Sequence, residues 1–161
     1  MKICDVVLNS IWYDPRVIKQ LDEYKKYFEV YAVGIKCARY DEEKVNSIGC
    51  NIRLCDVEKP SANILKRVLS EFKMYHGVYK LIIKTKPDII HANDLNALIP
   101  AYYAAKRLKC KLIYDTHEIF LENIGVKDKK IVRKGYGFFE KKIIKKCDLV
   151  VSVSNAAAGY L

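Results

Sequence analysis

The chain has 161 residues, 29 Lys plus Arg against 19 Asp plus Glu, and a formal net charge of +10. That length fits one domain with its own core, and a composition 51% hydrophobic and 30% charged excludes a disordered chain. No apolar run approaches the roughly 20 residues that span a bilayer, and Lys2 leads straight into Ile3-Cys4-Asp5-Val6-Val7-Leu8 without a signal-peptide pattern.

The charge is unevenly placed. Residues 1–58 hold nine basic and ten acidic side chains, whereas residues 59–161 hold twenty and nine. An excess confined to the region after Glu58 implies a surface that faces something anionic. The six cysteines lack CxxC spacing and mostly sit in apolar stretches, as free thiols of a cytosolic protein do. With only His76, His91 and His117 to join them, the spacing of a structural zinc site is missing.

In chain order, residues 2–8 read as a buried strand broken only by Asp5. Asp14-Pro15 then starts a helix, with Asp as N-cap and Pro at the first helical position. Val17, Ile18, Leu21, Tyr24 and Phe28 follow at helical spacing. Residues 28–34 read as a second strand ended by Gly34, and 51–57 as a third. Pro60-Ser61 opens a long helical stretch whose apolar face carries Leu65, Val68, Leu69, Phe72, Tyr75, Tyr79 and Ile82, with Gly77 as a break or kink. Lys66, Lys73, Lys80 and Lys84 line another face of it. Ile89-Ile90-His91 is a fourth strand, residues 95–108 a helix bent or re-started at Pro100, and 111–115 a fifth strand. Residues 129–146 form a basic amphipathic helix, with Ile131, Phe138, Phe139 and Ile143 on one side and Lys130, Lys134, Lys141 and Lys145 on another. A sixth strand covers 148–153, and Ser154 reads as the N-cap of a following helix.

Six strands separated by helices imply an α/β fold, a parallel sheet covered on both faces, with order 3-2-1-4-5-6 as the commonest arrangement. Strands one and four are then neighbours whose connections leave in opposite directions. A crevice opens there, lined by the loops 9–14, 91–94 and 116–118.

The first strand–helix turn, Asn9-Ser10-Ile11-Trp12-Tyr13-Asp14, has no glycine, and no GxxxxGK[ST] occurs. Backbone therefore cannot approach a pyrophosphate as in dinucleotide-binding or P-loop proteins. What remains is polar: His91, Asn93 and Asp94 after strand four, then Asp115, Thr116, His117 and Glu118 after strand five. His117 beside Glu118 offers acid/base chemistry near neutral pH. Asp94 and Thr116 also read simply as helix caps, and His91, inside an apolar strand, as a satisfied core histidine.

The segment Lys86-Pro87-Asp88-Ile89-Ile90-His91-Ala92-Asn93-Asp94-Leu95 resembles the "kPDvvHaNDl" motif of family-four, GT-B-fold glycosyltransferases. Tyr114-Asp115-Thr116-His117-Glu118-Ile119-Phe120-Leu121-Glu122 resembles their "YDsHElftE", Phe139-Glu140 through Asp148-Leu149-Val150-Val151-Ser152-Val153-Ser154 their "E…aDlvitvS", and Asp14-Pro15-Arg16-Val17 their "DpRv". The resemblance covers nearly the whole chain, in the family's order.

It implies one Rossmann-like half of a two-domain enzyme: residues 1–161 as the N-terminal, acceptor-side domain, ending near its C-terminal edge, without the donor-binding domain. The implied reaction moves a sugar from a UDP- or GDP-sugar to a glycan or lipid-linked acceptor, with retention and without metal. This domain itself would carry no cofactor. It would work in the cytoplasm, peripherally at the inner membrane face. Family members place a sugar-contacting histidine near Asn93 or Asn96; both are asparagine here, so His91 inherits no catalytic role. The motif match selects His117 and Glu118 as catalytic candidates, and Asp14, Arg16, Asn93 and Asp94 as acceptor-binding candidates. Asp94 would orient the acceptor or an adjacent loop. Glu118 would orient His117 or bond the acceptor. Glu140 would pair with His117 or a basic neighbour, or is a plain surface glutamate.

The isolated domain is expected to be inactive, since stabilising the leaving diphosphate needs the donor domain. A second reading is a non-catalytic basic module docking on anionic membrane through Lys66, Lys73, Lys80, Lys130, Lys134, Lys141 and Lys145, which equally fit ordinary solvated helix faces. Nucleic-acid binding ranks last: no binding motif is present, and many of the 12 tyrosines fall on apolar faces.

Overall fold

A computed structural model describes residues 1–36, 40–57, 63–116 and 130–152, the side chains of 130–133 apart. Six strands form one parallel sheet: β1 (Lys2–Val7), β2 (Glu29–Lys36), β3 (Asn51–Asp56), β4 (Ile89–Asn93), β5 (Lys111–Thr116) and β6 (Leu149–Ser152). Their order is β3-β2-β1-β4-β5-β6, as the alternation of elements predicts. The helices are α1 (Pro15–Tyr24), α2 (Glu42–Ser47), α3 (Ile64–Thr85), α4 (Asp94–Leu108) and α5 (Lys130–Ile144).

Alternation along the strands builds two cores. Ile3 and Val7 of β1 join Val30, Ala32, Val17, Leu21, Trp12 and Ile48 on the α1–α2 face. Cys4 and Val6 face the other way, with Ile90, Ala92, Leu112 and Tyr114, beneath Val78, Ile82, Leu98, Ala101 and Ile143 of α3, α4 and α5. Alanines 97, 101, 104 and 105 of α4 are buried, which lets that helix lie close to the sheet.

Several sequence expectations need correction. Gly34 does not end β2, which runs on to Lys36; a Cβ there would lie 2.8 Å from the Ile11 side chain, so glycine admits that side chain. Gly77 does not break α3; a Cβ there would meet Cys55 Sγ at 2.5 Å, so it lets the helix approach β3. α3 begins at Ile64, where Asn63 Oδ1 accepts hydrogen bonds from the N–H groups of Leu65 and Lys66. Pro60 and Ser61 lie outside the described residues. α4 runs unbroken through Pro100, starting one residue earlier than expected. The short α2, capped by Asp41, was not anticipated because six residues are too few for periodicity to announce.

Of the apolar face assigned to α3, only Ile82 is fully buried; Tyr75 and Tyr79 are half-buried, and Leu65, Val68, Leu69 and Phe72 are exposed, as are Phe138 and Phe139 of α5. Val78, outside that set, is the other apolar residue of α3 in the core. Ile143 alone of the α5 apolar set is buried among the described side chains; that of Ile131 is outside them. The helix expected after Ser154 also lies outside the described residues. Among the described residues, no helix is long and apolar enough to cross a membrane.

Candidate functional site at the carboxyl edge of the sheet

β1 and β4 are the strands at which the order reverses, and their carboxyl ends meet: Val7 is in register with Asn93. β1 leads through a 3₁₀ turn, Ile11–Tyr13, to Asp14, which caps α1 as expected. The buried Asp14 carboxylate accepts from the Arg16 backbone N–H at 3.1 Å and from Arg16 Nε and Nη2 at 3.2 and 3.1 Å. Burial alone would raise the Asp14 carboxyl, but the Arg16 hydrogen bonds and charge outweigh it and hold it below the usual carboxylate range. Asp14 stays ionised, and the bidentate pairing fixes the Arg16 guanidinium, itself exposed, at the mouth of the crevice.

β4 passes into α4 with no intervening loop. The junction is taken by Asp94, at φ +66°, a left-handed conformation that costs a non-glycine residue about 1 kcal/mol or more. Asn93 is the N-cap, yet its side chain makes no capping bond. Its Nδ2 instead donates to Asp5 Oδ1 at 2.7 Å and to the Val6 carbonyl at 3.3 Å, and Asn93 itself is buried.

Asp5 opens onto a cluster of polar groups inside the sheet. His91 lies beside it on β4, its Nδ1 3.7 Å from Asp5 Oδ2 and its Nε2 3.6 Å from Asp115 Oδ2 on β5. From α1, Tyr24 Oη is 2.7 Å and Gln20 Nε2 2.8 Å from Nδ1, while Gln20 Nε2 also donates to Tyr24 Oη at 3.3 Å. Gln20 Nε2 also lies 3.4 Å from His91 Nε2, so the Gln20 amide and the Tyr24 hydroxyl both face the ring. Full burial pushes the Asp5 carboxyl up to about 7, against the lowering effects of His91 and the Asn93 hydrogen bond; Asp115 and Asp14 add to the rise. Oδ1 accepts from Asn93, whereas Oδ2 is buried with no hydrogen-bond partner among the described residues. Burial and the Asp5 charge raise the Tyr24 hydroxyl to about 12, so it remains a donor.

His91 is thus the satisfied core histidine that its apolar strand implies. Asp5, which breaks the apolar run of β1, is the signal in the sequence to which no role was assigned. Among the described residues, no group of three His, Cys, Asp or Glu side chains has the geometry to hold a metal ion.

Glu140 corrects the surface-glutamate alternative. It is buried, and Oε1 accepts from the Tyr114 hydroxyl at 2.7 Å, which also bonds the Thr116 side chain. Burial raises the Glu140 carboxyl. This chain of polar groups ties α5 to the end of β5. His117 and Glu118, the catalytic candidates, lie outside the described residues; they follow Thr116, whose strand ends beside β4. Lys66, Lys73, Lys80, Lys134, Lys141 and Lys145 are exposed on the opposite side of the sheet from α1, and the Lys130 side chain is outside the described residues.

Comparison with known proteins gives this arrangement a family. The chain is 29% identical over 97 residues to an uncharacterized 42.6 kDa protein in the cps region of Klebsiella pneumoniae, a match covering 54% of this chain and 26% of that protein. Its fold is similar to Anabaena HepE, solved in complex with UDP and glucose, with a TM-score of 0.64 and 15% identity over 99% of this chain and 40% of HepE. It is also similar to sucrose-phosphate synthase from Thermosynechococcus elongatus, with a TM-score of 0.68 and 14% identity over 99% of this chain and 44% of that one. The chain therefore spans less than half the length of these relatives. Residues 16–161 match the profile described as Glycosyltransferase Family 4, and the chain belongs to that family as a GT-B domain.

Proposed function

We propose that this chain is the acceptor-side domain of a retaining, metal-independent glycosyltransferase that moves a sugar from a UDP- or GDP-sugar to a hydroxyl of a glycan or lipid-linked acceptor. The observation that carries the reading is the left-handed Asp94 at the end of β4, at the switch point it shares with the Asp14–Arg16 pair. Strained backbone at a strand end in an open α/β sheet is where ligands are gripped. Family membership supports sugar transfer.

In this reading Asp94 accepts a hydrogen bond from an acceptor hydroxyl and so orients it. Arg16, held by Asp14, fixes the acceptor's polar groups. Asn93, tied to Asp5, positions Asp94. His117 and Glu118 assist the reacting hydroxyl from the end of β5. The bond from the anomeric carbon to the diphosphate oxygen breaks, the acceptor oxygen bonds that carbon on the same face, and the hydroxyl proton passes to the departing diphosphate oxygen. A second domain holds the donor and stabilises the leaving diphosphate, so the chain alone does not turn over. The reaction takes place on the cytoplasmic side.

The test compares the 161-residue chain with the same chain joined to a donor-binding GT-B domain, using radiolabelled UDP- and GDP-sugars. Transfer by the joined protein alone supports the reading. Robust transfer by the 161 residues refutes the half-enzyme assignment.

A further inference from the structure

The 3₁₀ turn between β1 and α1 is anchored on the end of β2. The Asn9 carbonyl accepts from the Ile35 N–H at 3.5 Å, and Ile11 fills the space that Gly34 leaves. Trp12 and Tyr13 are thereby fixed at the carboxyl edge of the sheet, directly before the Asp14–Arg16 pair.

Trp12 is buried and supports two exposed tyrosines. The Tyr40 ring meets it in a T shape, at 5.7 Å between centroids and 90° between planes. The Tyr13 ring lies 6.0 Å away at 51°. Tyr13 is 51% exposed and Tyr40 38%, against 4% for Trp12. Each tyrosine carries a cation. Lys36 Nζ, from the end of β2, is 4.4 Å from the Tyr40 centroid, and Lys44 Nζ, from α2, is 4.7 Å from the Tyr13 centroid. Among the described residues, Lys36 has no carboxylate partner and Lys44 has only Asp41, at 3.7 Å. Asp41 is already engaged as the N-cap of α2. At about 100° per residue, Glu42 falls on the far side of α2 from Lys44, and Glu43 about a quarter-turn from it. An exposed ring face holds an ammonium weakly, so an anion on a ligand takes the cation over readily.

We propose that Tyr13, Tyr40, Lys36 and Lys44 form a subsite for the sugars that precede the reacting one in the acceptor. It selects a saccharide chain that bears a negative charge, as a uronate carboxylate or a phosphate ester. The C–H face of a pyranose is apolar and slightly positive, so it stacks on the negative face of an aromatic ring. The two ammonium groups donate charge-assisted hydrogen bonds to the anionic substituent. The inference rests on the acceptor-side reading for the direction of the chain: its terminal sugar at Asp94, the earlier ones over Tyr13 and Tyr40. The acceptor is then a saccharide of two or more units.

Trp12 is the single tryptophan of the chain, so its emission reports on this platform. The 161-residue chain is titrated without donor, following Trp12 fluorescence and the heat of binding. The probes are a hexasaccharide of alternating glucuronate and N-acetylglucosamine, the same hexasaccharide with its carboxyls reduced to alcohols, mannopentaose 6-phosphate, and mannopentaose. A charged probe should bind about 10-fold tighter than its neutral counterpart, shift the Trp12 emission and lose affinity with salt. Preference within the first pair assigns a carboxylate, within the second a phosphate, and in both charge alone. Replacing Lys36 and Lys44 together by glutamine should bring the charged probe to the level of its neutral counterpart. Replacing Tyr13 and Tyr40 together by alanine should lower affinity for the preferred probe about 10-fold, whereas phenylalanine at both positions should retain it. The phenylalanine pair keeps the packing on Trp12, and far-UV circular dichroism of every variant should match the parent chain.

Equal affinity for charged and neutral probes in both pairs overturns the proposal, as does the absence of binding at millimolar concentration. A charge preference that survives the lysine substitutions places the anion elsewhere and overturns it too. Binding needs no transfer, so a charge-selective platform stands even where the joined enzyme fails to turn over. Transfer to neutral glycans without charge-selective binding removes this subsite and leaves the half-enzyme assignment intact.

Discussion

Asn93 Nδ2 donates a 2.7 Å hydrogen bond to Asp5 Oδ1, joining β4 to β1 where the strand order reverses. Both groups are buried, so neither can turn to water if the other is lost. Asn93→Ala should lower stability by about 2–4 kcal/mol in urea unfolding, since a buried carboxyl loses its donor and a small cavity opens. A loss below about 1 kcal/mol would mean that this bond does not hold the switch point together.

Asp5 should make stability pH-dependent. In the folded protein it keeps its proton to about pH 7, against an ordinary value of 3.8. Between those values the native state binds more protons than the unfolded chain. Its contribution is fully present below the unfolded value and is lost as pH rises through about 7, at up to about 1.4 kcal/mol per pH unit. Asp5→Asn removes the ionisation and keeps an acceptor for Asn93. The stability of the variant relative to wild type should rise across that window and level off above it. The groups coupled to Asp5 are His91, Asp115 and Asp14, and they set the steepness. A pH-independent difference would show that Asp5 is not buried as described.

Gly77 and Cys55 make a paired prediction. Alanine at 77 gains about 1 kcal/mol of helix propensity, yet its Cβ would sit 2.5 Å from the Cys55 sulfur. Gly77→Ala should therefore destabilise by about 1–3 kcal/mol. Adding Cys55→Ala should recover most of that loss, a coupling that a double-mutant cycle in thermal or chemical unfolding reads directly.

The fold was legible because the chain alternates strand and helix signals with few exceptions. Asp14-Pro15 marked the start of α1 correctly, and the six apolar runs fell on the six strands. Glycine misled in both β2 and α3, because its role at Gly34 and Gly77 is to admit Ile11 and Cys55, contacts that join residues distant in sequence. Leu65, Leu69 and Phe72 have the spacing of a core face, but spacing cannot say whether a partner element covers them, and all three are exposed. The site was half visible. Asp94 and the Asp14–Arg16 turn stood out at strand ends, whereas the link from Asn93 to Asp5 spans 88 residues and exists only once β1 and β4 are side by side.

Asp94 separates backbone strain from chemistry. At φ +66°, glycine relieves the strain that alanine worsens. Asp94→Ala should cost about 1–2 kcal/mol, while Asp94→Gly, which also loses a favourable charge in the first turn of α4, should stay within about 0.5 kcal/mol of wild type in chemical unfolding.

That stability-matched variant gives the most direct test of the acceptor-side assignment. The measurement is steady-state transfer by the chain joined to a donor-binding GT-B domain, with Asp94→Gly compared against wild type for both substrates. The account predicts kcat/KM for the acceptor reduced about 100-fold, with KM for the nucleotide-sugar unchanged within about threefold. An unchanged acceptor kcat/KM, or a loss confined to the donor, would contradict it.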